Sequence, residues 1–261
     1  MRQTYGVVRL YYHLVSAHSL WSFFILIGFF MQSLPEAYQA LIIGASGAIG
    51  AALVDQLQRD PRCGRVVGLC RSSDPAIDFE DLDSIERAAV RIRALGPWHL
   101  VVLATGTLHG PGTPEKRLAQ LNYQQMESTF RINTIGPALT IAHFAPLLDK
   151  SKRSLLAVLS AKVGSIGDNR LGGWYSYRAS KAALNMLIKT ASIEISRNSP
   201  LAVVAALHPG TVNSALSAPF RGAEIGRPAE QAAAELLTVL DRLTPEQTGE
   251  FWAYDGKRLP W

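Results

Sequence analysis

Tyr177 and Lys181 stand four residues apart in the run Trp174-Tyr175-Ser176-Tyr177-Arg178-Ala179-Ser180-Lys181, a spacing that puts both side chains on one face of a helix. A phenol titrating near its ordinary value of about 10 is a poor proton donor or acceptor at neutral pH, and an ammonium held beside it stabilises the phenolate and lowers that value. Such a pair could exchange a proton with an alcohol or a carbonyl oxygen. The same spacing also occurs on ordinary surface helices, so the pair gains meaning only from its setting. Tyr175 has Ala179 at the matching offset, which leaves Tyr177 as the tyrosine with a lysine.

The elements that would position the pair can be read around it. Ala182, Ala183, Leu184, Leu187, Ile188, Ala191 and Ile195 continue an apolar face to about residue 196, the pattern of a long helix packed on a core. Upstream, Ala40-Leu41-Ile42-Ile43 reads as a short buried strand, and Gly44-Ala45-Ser46-Gly47-Ala48-Ile49-Gly50 leads into a helix over residues 50–58. Glycines there let the backbone turn tightly and approach a pyrophosphate, whose charge meets the amide N–H groups of the helix N-terminus. A second strand, residues 65–70, ends at Arg71. An acidic residue about 20 positions past the glycine turn would suit a free ribose 2′-hydroxyl. Cys70 and Arg71 occupy that place, which favours a 2′-phosphate and NADP(H), while Asp74 slightly further on keeps NAD(H) open.

Further strands are expected at residues 76–79, 98–103, 154–159, 202–207 and 250–254, with helices over 83–95, 175–196 and 228–243 and helical periodicity across 115–149. Asp83 and Glu86 have the spacing of a capping box for the first of these helices. Asn133, in the middle of the long periodic stretch, is disfavoured by helix propensity, so it is either solvated or required by a polar site. Alternating strands and helices with continuous apolar runs predict an α/β fold: a doubly wound parallel sheet of Rossmann type, covered on both faces, in one domain over residues 36–261. Ligands of such sheets lie beyond the carboxyl ends of the strands, where Gly44, Gly106, Ser160 and Pro209 all fall.

Composition narrows the remaining choices. The chain of 261 residues is 48% hydrophobic and 18% charged, enough for one large buried core. The net charge of +5 comes from scattered basic residues with no aromatic interleaving, which suits a phosphate-bearing small molecule and argues against nucleic acid. Cys63 and Cys70 match no metal or redox spacing and read as buried structural thiols of a reducing compartment. No metal site is expected. Residues 1–35 form a hydrophobic extension free of Asp, Glu, Lys and Arg from Leu10 to Pro35, with an apolar core from Leu20 to Met31. It reads either as a membrane anchor or as an upstream extension with translation starting at Met31. The second alternative goes with a cytoplasmic protein and the first with a membrane-anchored one.

The glycine turn, Asn133, Tyr177-x-x-x-Lys181 and Pro209-Gly210, in that order, make residues 38–261 resemble the short-chain dehydrogenase/reductase family. Gly164-Ser165-Ile166, Asp168-Asn169-Arg170 and the run from Gly172 to Asn185 resemble its C-factor-like branch. The resemblance implies Tyr177 as catalytic acid/base, Lys181 as its partner and a ligand of the nicotinamide ribose, and Asn133 holding a relay water by its backbone. It implies Ser160 as the hydroxyl on the substrate oxygen, with Ser165 as the substitute. It also implies a cofactor cradle of Gly44, Ser46, Gly47, Ile49, Gly50, Arg71, Asp78 at the adenine, Ala104, Gly106, Pro209, Gly210, Val212 and Ser214. Three positions depart from the family pattern. Leu103-Ala104-Thr105-Gly106 replaces Asn-Asn-Ala-Gly, Ser160-Ala161 replaces Ser-Ser, and Ile43 replaces a threonine. The expected activity is NADP(H)-dependent hydride transfer between the nicotinamide and a carbonyl or secondary alcohol. A nucleotide-binding regulatory protein with little turnover is the alternative. A small-molecule substrate selected by the short Ala-, Ser- and Gly-rich segment 213–227, and a homodimer or homotetramer through the long helices, complete the expectation.

Overall fold

The computed structural model describes residues 31–109, 112–220 and 222–261. Six strands form one parallel sheet: β1 (Tyr38–Ile43), β2 (Cys63–Leu69), β3 (Leu100–Leu103), β4 (Ser154–Leu159), β5 (Ala202–His208) and β6 (Glu250–Ala253), in the order β2-β1-β3-β4-β5-β6. β3 and β4 are buried throughout and β5 up to His208. Their unbroken apolar runs follow from helices covering both faces. Those helices are α1 (Ala48–Arg59), α2 (Asp83–Arg93), α3 (Tyr123–Phe130), α4 (Gly136–Phe144), α5 (Tyr175–Asn198), α6 (Gly222–Ile225) and α7 (Ala229–Arg242).

The period of two along each strand divides the core. Leu41 and Ile43 of β1 face Ile85 and Ala88 of α2, Phe144 of α4, and Leu184 and Ile188 of α5. Ala40 and Ile42 face Leu53 and Leu57 of α1 and Leu236 and Leu240 of α7. Met31 and Leu34, which the sequence groups with the hydrophobic extension, are buried in this second layer, and the Met31 N–H donates to Asp60 Oδ2 at 2.9 Å. The remainder of the apolar stretch, with the choice between anchor and upstream extension, lies outside the described residues. Among the described residues no helix is long and apolar enough to cross a membrane, and no cluster of ligating side chains could hold a metal ion.

Four expectations need correction. Residues 76–79 form no sheet strand but a one-residue bridge, Asp78 to Asp81. Ser73 Oγ–H is satisfied there by the carbonyls of Cys70 and Pro75, and Pro75 itself has no N–H to donate, so the segment turns instead of extending. Asp83 does not cap α2: Leu82 holds that position without a side-chain hydrogen bond, and both carboxylates sit inside the first turn. The periodic stretch 115–149 is broken into α3, a single turn of π-helix at Arg131–Ile135 and α4, with Asn133 in the π turn. Cys63 and Cys70 are free thiols but only half-buried.

Sheet order reverses between β1 and β3, which run side by side while their following connections leave in opposite directions. The crevice at their carboxyl ends is where this class of sheet takes a ligand.

Candidate functional site

The crevice is a cleft of about 400 Å³ lined by Gly44, Ser46, Gly47, Cys70, Arg71, Asp78, Ala104, Thr105, Gly106 and their neighbours. Gly44 has φ +91°, and a Cβ on it would stand 2.8 Å from the Ala104 carbonyl oxygen; one on Gly50 would stand 2.1 Å from the Gly44 carbonyl oxygen. The turn therefore closes directly onto the N-terminus of α1, leaving backbone room beside β3. Gly50 serves packing, being buried, and Ile49 packs toward the α1 core layer, so neither lines the cleft. The exposed Arg71 does line it. Asp74 is drawn off by a two-point ion pair with Arg91, which also holds its carboxyl below the usual range. Thr105 Oγ1 is buried without a hydrogen-bond partner at the cleft floor. A cleft with a glycine cradle, a helix N-terminus, an arginine at the rim and an orphaned hydroxyl fits a dinucleotide.

Tyr177 and Lys181 lie on the first two turns of α5, as expected from their spacing. Lys181 is 3% exposed, and its Nζ donates to the Leu159 carbonyl oxygen at the end of β4 at 3.0 Å. Tyr177 is half-buried, and its hydroxyl has no hydrogen-bond partner among the described residues. Burial pushes the phenol up to about 12 and the lysine down to about 8. The shift at Tyr177 is opposite to the one expected from an adjacent ammonium, because desolvation, which disfavours the charged form of each group, is the cause acting on both.

Asn133 is fully buried. Its Oδ1 accepts from the Thr107 N–H at 2.8 Å, and its Nδ2 donates to the Thr107 carbonyl at 2.8 Å and to Ser180 Oγ at 3.1 Å. The side chain thus ties the loop after β3 to α5, and a Cβ on Gly106 would lie 3.3 Å from both Asn133 Oδ1 and Lys181 Nζ. These residues meet in space although 75 positions separate Gly106 from Lys181. Ser160 follows β4, but its hydroxyl donates to Asn185 Oδ1 at 2.6 Å. Ser165 donates to the Trp261 carbonyl and accepts from the Asp168 N–H. Neither hydroxyl proton is free for a substrate oxygen in this arrangement.

Pro209, Gly210, Val212 and Ser214 follow β5, outside the cleft lining. Arg227 organises them: its N–H donates to the Thr211 carbonyl, its carbonyl accepts from the Asn213 N–H, and its guanidinium reaches the Pro209 carbonyl and Glu235 while lying 3.6 Å over the Tyr254 ring. The segment 213–227 holds the short α6 and a parallel bridge from Val212 to Arg227 that closes its base. Sequence reasoning passed over Arg227, Asn185 and Glu115. Asn185 continues the i, i+4 series from Tyr177 and Lys181 and was readable from spacing. The other two act across long chain separations and leave no local pattern.

The family model described as short chain dehydrogenase matches residues 38–224. The chain is 33% identical over 233 residues to the 1-hydroxy-2-glutathionyl-2-methyl-3-butene dehydrogenase of Rhodococcus sp. (strain AD45), covering 85% of this chain and 98% of that protein. It is 34% identical over 144 residues to the C-signal protein of Myxococcus xanthus, covering 55% of this chain and 83% of that protein. The NADPH-bound carbonyl reductase from chicken fatty liver shares the fold with a TM-score of 0.74 at 22% identity, over 88% of this chain and 97% of that one.

Proposed function

The chain belongs to the short-chain dehydrogenase family, and from that membership we propose that it is an NADP(H)-dependent oxidoreductase acting on a carbonyl or secondary alcohol, with Tyr177 transferring the proton. The observation that carries the reading is the unpartnered Tyr177 hydroxyl, one helical turn from a buried Lys181 whose head reaches the end of β4. A nicotinamide dinucleotide held by the Gly44–Gly50 turn, Arg71, Asp78 and Ala104 would supply the hydride. Tyr177, neutral at pH 7, donates its proton to the carbonyl oxygen as the alcohol forms and regains one from water. Lys181 has only one of its three N–H donors on Leu159, which leaves two for ribose hydroxyls. Asn133 fixes Gly106 and α5 relative to one another. Arg71 at the cleft, with Asp74 committed to Arg91, supports NADP(H) over NAD(H). Exposed Tyr123 and Met126 on α3 and Met186 and Ile193 on α5 support assembly through these helices as a dimer or tetramer. Use of NADPH fits a cytoplasmic location.

A regulatory, nucleotide-binding role is favoured by one observation: the Ser160 and Ser165 protons are both committed elsewhere, and loss of a polarising donor costs about 10² to 10³ in rate. Turnover of a panel of aldehydes, ketones and a glutathione-conjugated alcohol with NADPH or NADP⁺ separates the two. Tyr177→Phe is expected to lose about 10² to 10⁴ in kcat while still binding nucleotide. A phenylalanine variant as active as its parent ends the enzymatic reading.

A further inference from the structure

α5 begins without a cap of its own. Trp174 holds the N-cap position at φ 53°, ψ 45° with no side-chain hydrogen bond to the helix, after Gly172 and Gly173 at φ 62° and 65°. Three successive residues in the left-handed region lead into the helix, and the tryptophan among them is strained there. The first N–H groups of a helix need acceptors from elsewhere. For the Ser176 N–H, and for the N-cap Trp174 N–H before it, the acceptor is Glu115, on the loop between β3 and α3. Its Oε2 accepts from the Ser176 N–H at 3.3 Å, its Oε1 accepts from the Ser176 hydroxyl, and its backbone carbonyl accepts from the Trp174 N–H. Glu115 is 2% and Ser176 1% exposed, so the carboxylate is committed to this place and faces the positive end of the helix.

Resting on the reading of Tyr177 as proton donor, we propose that Glu115 is a positioning residue that clamps the backbone immediately before the catalytic tyrosine. Trp174 and Ser176 are the residues it holds. Tyr177 follows at once, and its ring meets the Trp174 ring edge-on with centroids 6.2 Å apart. The loop after β3, already tied to α5 by Asn133, thereby fixes the phenol from the amino-terminal side as well. Misplacing a reacting group by about 1 Å can cost on the order of 10²-fold. Glu115 touches none of the cofactor cleft, so its effect falls on the proton-transfer step.

The test compares Glu115→Ala, Glu115→Gln and Ser176→Ala with the parent enzyme, on a carbonyl substrate found in the panel. Glu115→Ala is expected to lower kcat about 10- to 100-fold with the KM for NADPH within about twofold. Glu115→Gln is expected to recover most of the loss, because its amide can accept from the Ser176 N–H and donate to the Ser176 oxygen. Should the alanine variant fail to fold, Ser176→Ala, which removes only the hydroxyl contact, is expected to lower kcat severalfold. A second readout needs no turnover: the ¹³Cζ tyrosine resonance absent from Tyr177→Phe should move in Glu115→Ala and stay in Glu115→Gln. Unchanged kcat and an unmoved resonance would overturn the proposal, as would parallel losses of kcat, NADPH affinity and stability in both Glu115 variants. Activity retained in Tyr177→Phe would remove the proton-donor reading instead, and the resonance would still report whether Glu115 orients the ring.

Discussion

Tyr177 and Lys181 are displaced toward their neutral forms, to about 12 and about 8, because burial desolvates both, the lysine more completely and with its head turned to the Leu159 carbonyl. A neutral phenol is ready to give a proton, which suits reduction of a carbonyl better than abstraction of a proton from an alcohol. The sequence placed the two residues on one helix face, since that follows from the 3.6-residue repeat alone. It could not show how deeply they are buried, and burial decided the direction of the shift at Tyr177. Ser160 teaches a similar lesson: its position after β4 was legible, but its proton partner, Asn185, depends on how α5 packs against the sheet. Arg71 carries a sharper expectation. Arg71→Asp should lower the ratio of kcat/KM for NADPH over NADH by at least about tenfold, the loss of one charge-assisted contact of about 1.5–3 kcal/mol. Asp74→Ala should leave that ratio within about threefold, because Asp74 is already bound to Arg91. Equal ratios for Arg71→Asp and parent would remove the arginine from cofactor selection.

At the level of elements, the glycine turn and its helix were legible because strand, turn and helix are contiguous in the chain. The contact that makes Gly50 necessary is legible only in space. An alanine there would press its Cβ against the Gly44 carbonyl oxygen, whereas one at Gly47 would stand 3.4 Å from the same atom in ordinary contact. Gly50→Ala is therefore expected to cost about 1–3 kcal/mol and several degrees in Tm, with weaker NADPH binding because the turn must spread; Gly47→Ala should cost less. Thermal unfolding with and without NADPH measures both, and equal losses would contradict the contact. The strand expected at residues 76–79 failed for a physical reason that composition does not display. Four apolar-leaning residues suffice for a strand only where a neighbouring edge offers a ladder, and here Ser73 and Asp81 satisfy the local backbone instead. Asn133 is the reverse case. Its poor helix propensity flagged a polar requirement, and the π turn with the Thr107 and Ser180 hydrogen bonds supplies it.

At the scale of the whole molecule, two of the described histidines, His99 and His208, are pushed toward their neutral forms. His208, at the end of β5, is pushed down to about 4 by burial and by Lys162 and Arg227, against the opposing pull of Asp255; burial also lowers His99, which pairs with Asp149. In the unfolded chain both take up protons near 6.5, so below that value the unfolded state binds more protons, for His208 down to about 4. Their contribution to stability is complete above pH 6.5 and is lost as pH falls through this window. The urea midpoint should accordingly drop between pH 7 and 4.5, and less steeply in His208→Asn; an identical slope in that variant would exclude His208 as a source. The sequence by itself determined the α/β architecture, the place of the glycine turn and the Tyr177–Lys181 spacing, because periodicity and turn chemistry are properties of neighbouring residues. Only the tertiary structure decided what Lys181, Ser160 and Asp74 are bonded to and which residue meets the first turn of α5. Those outcomes depend on which groups the packing of β3, β4 and α5 shuts away from water together, and chain order carries no record of that.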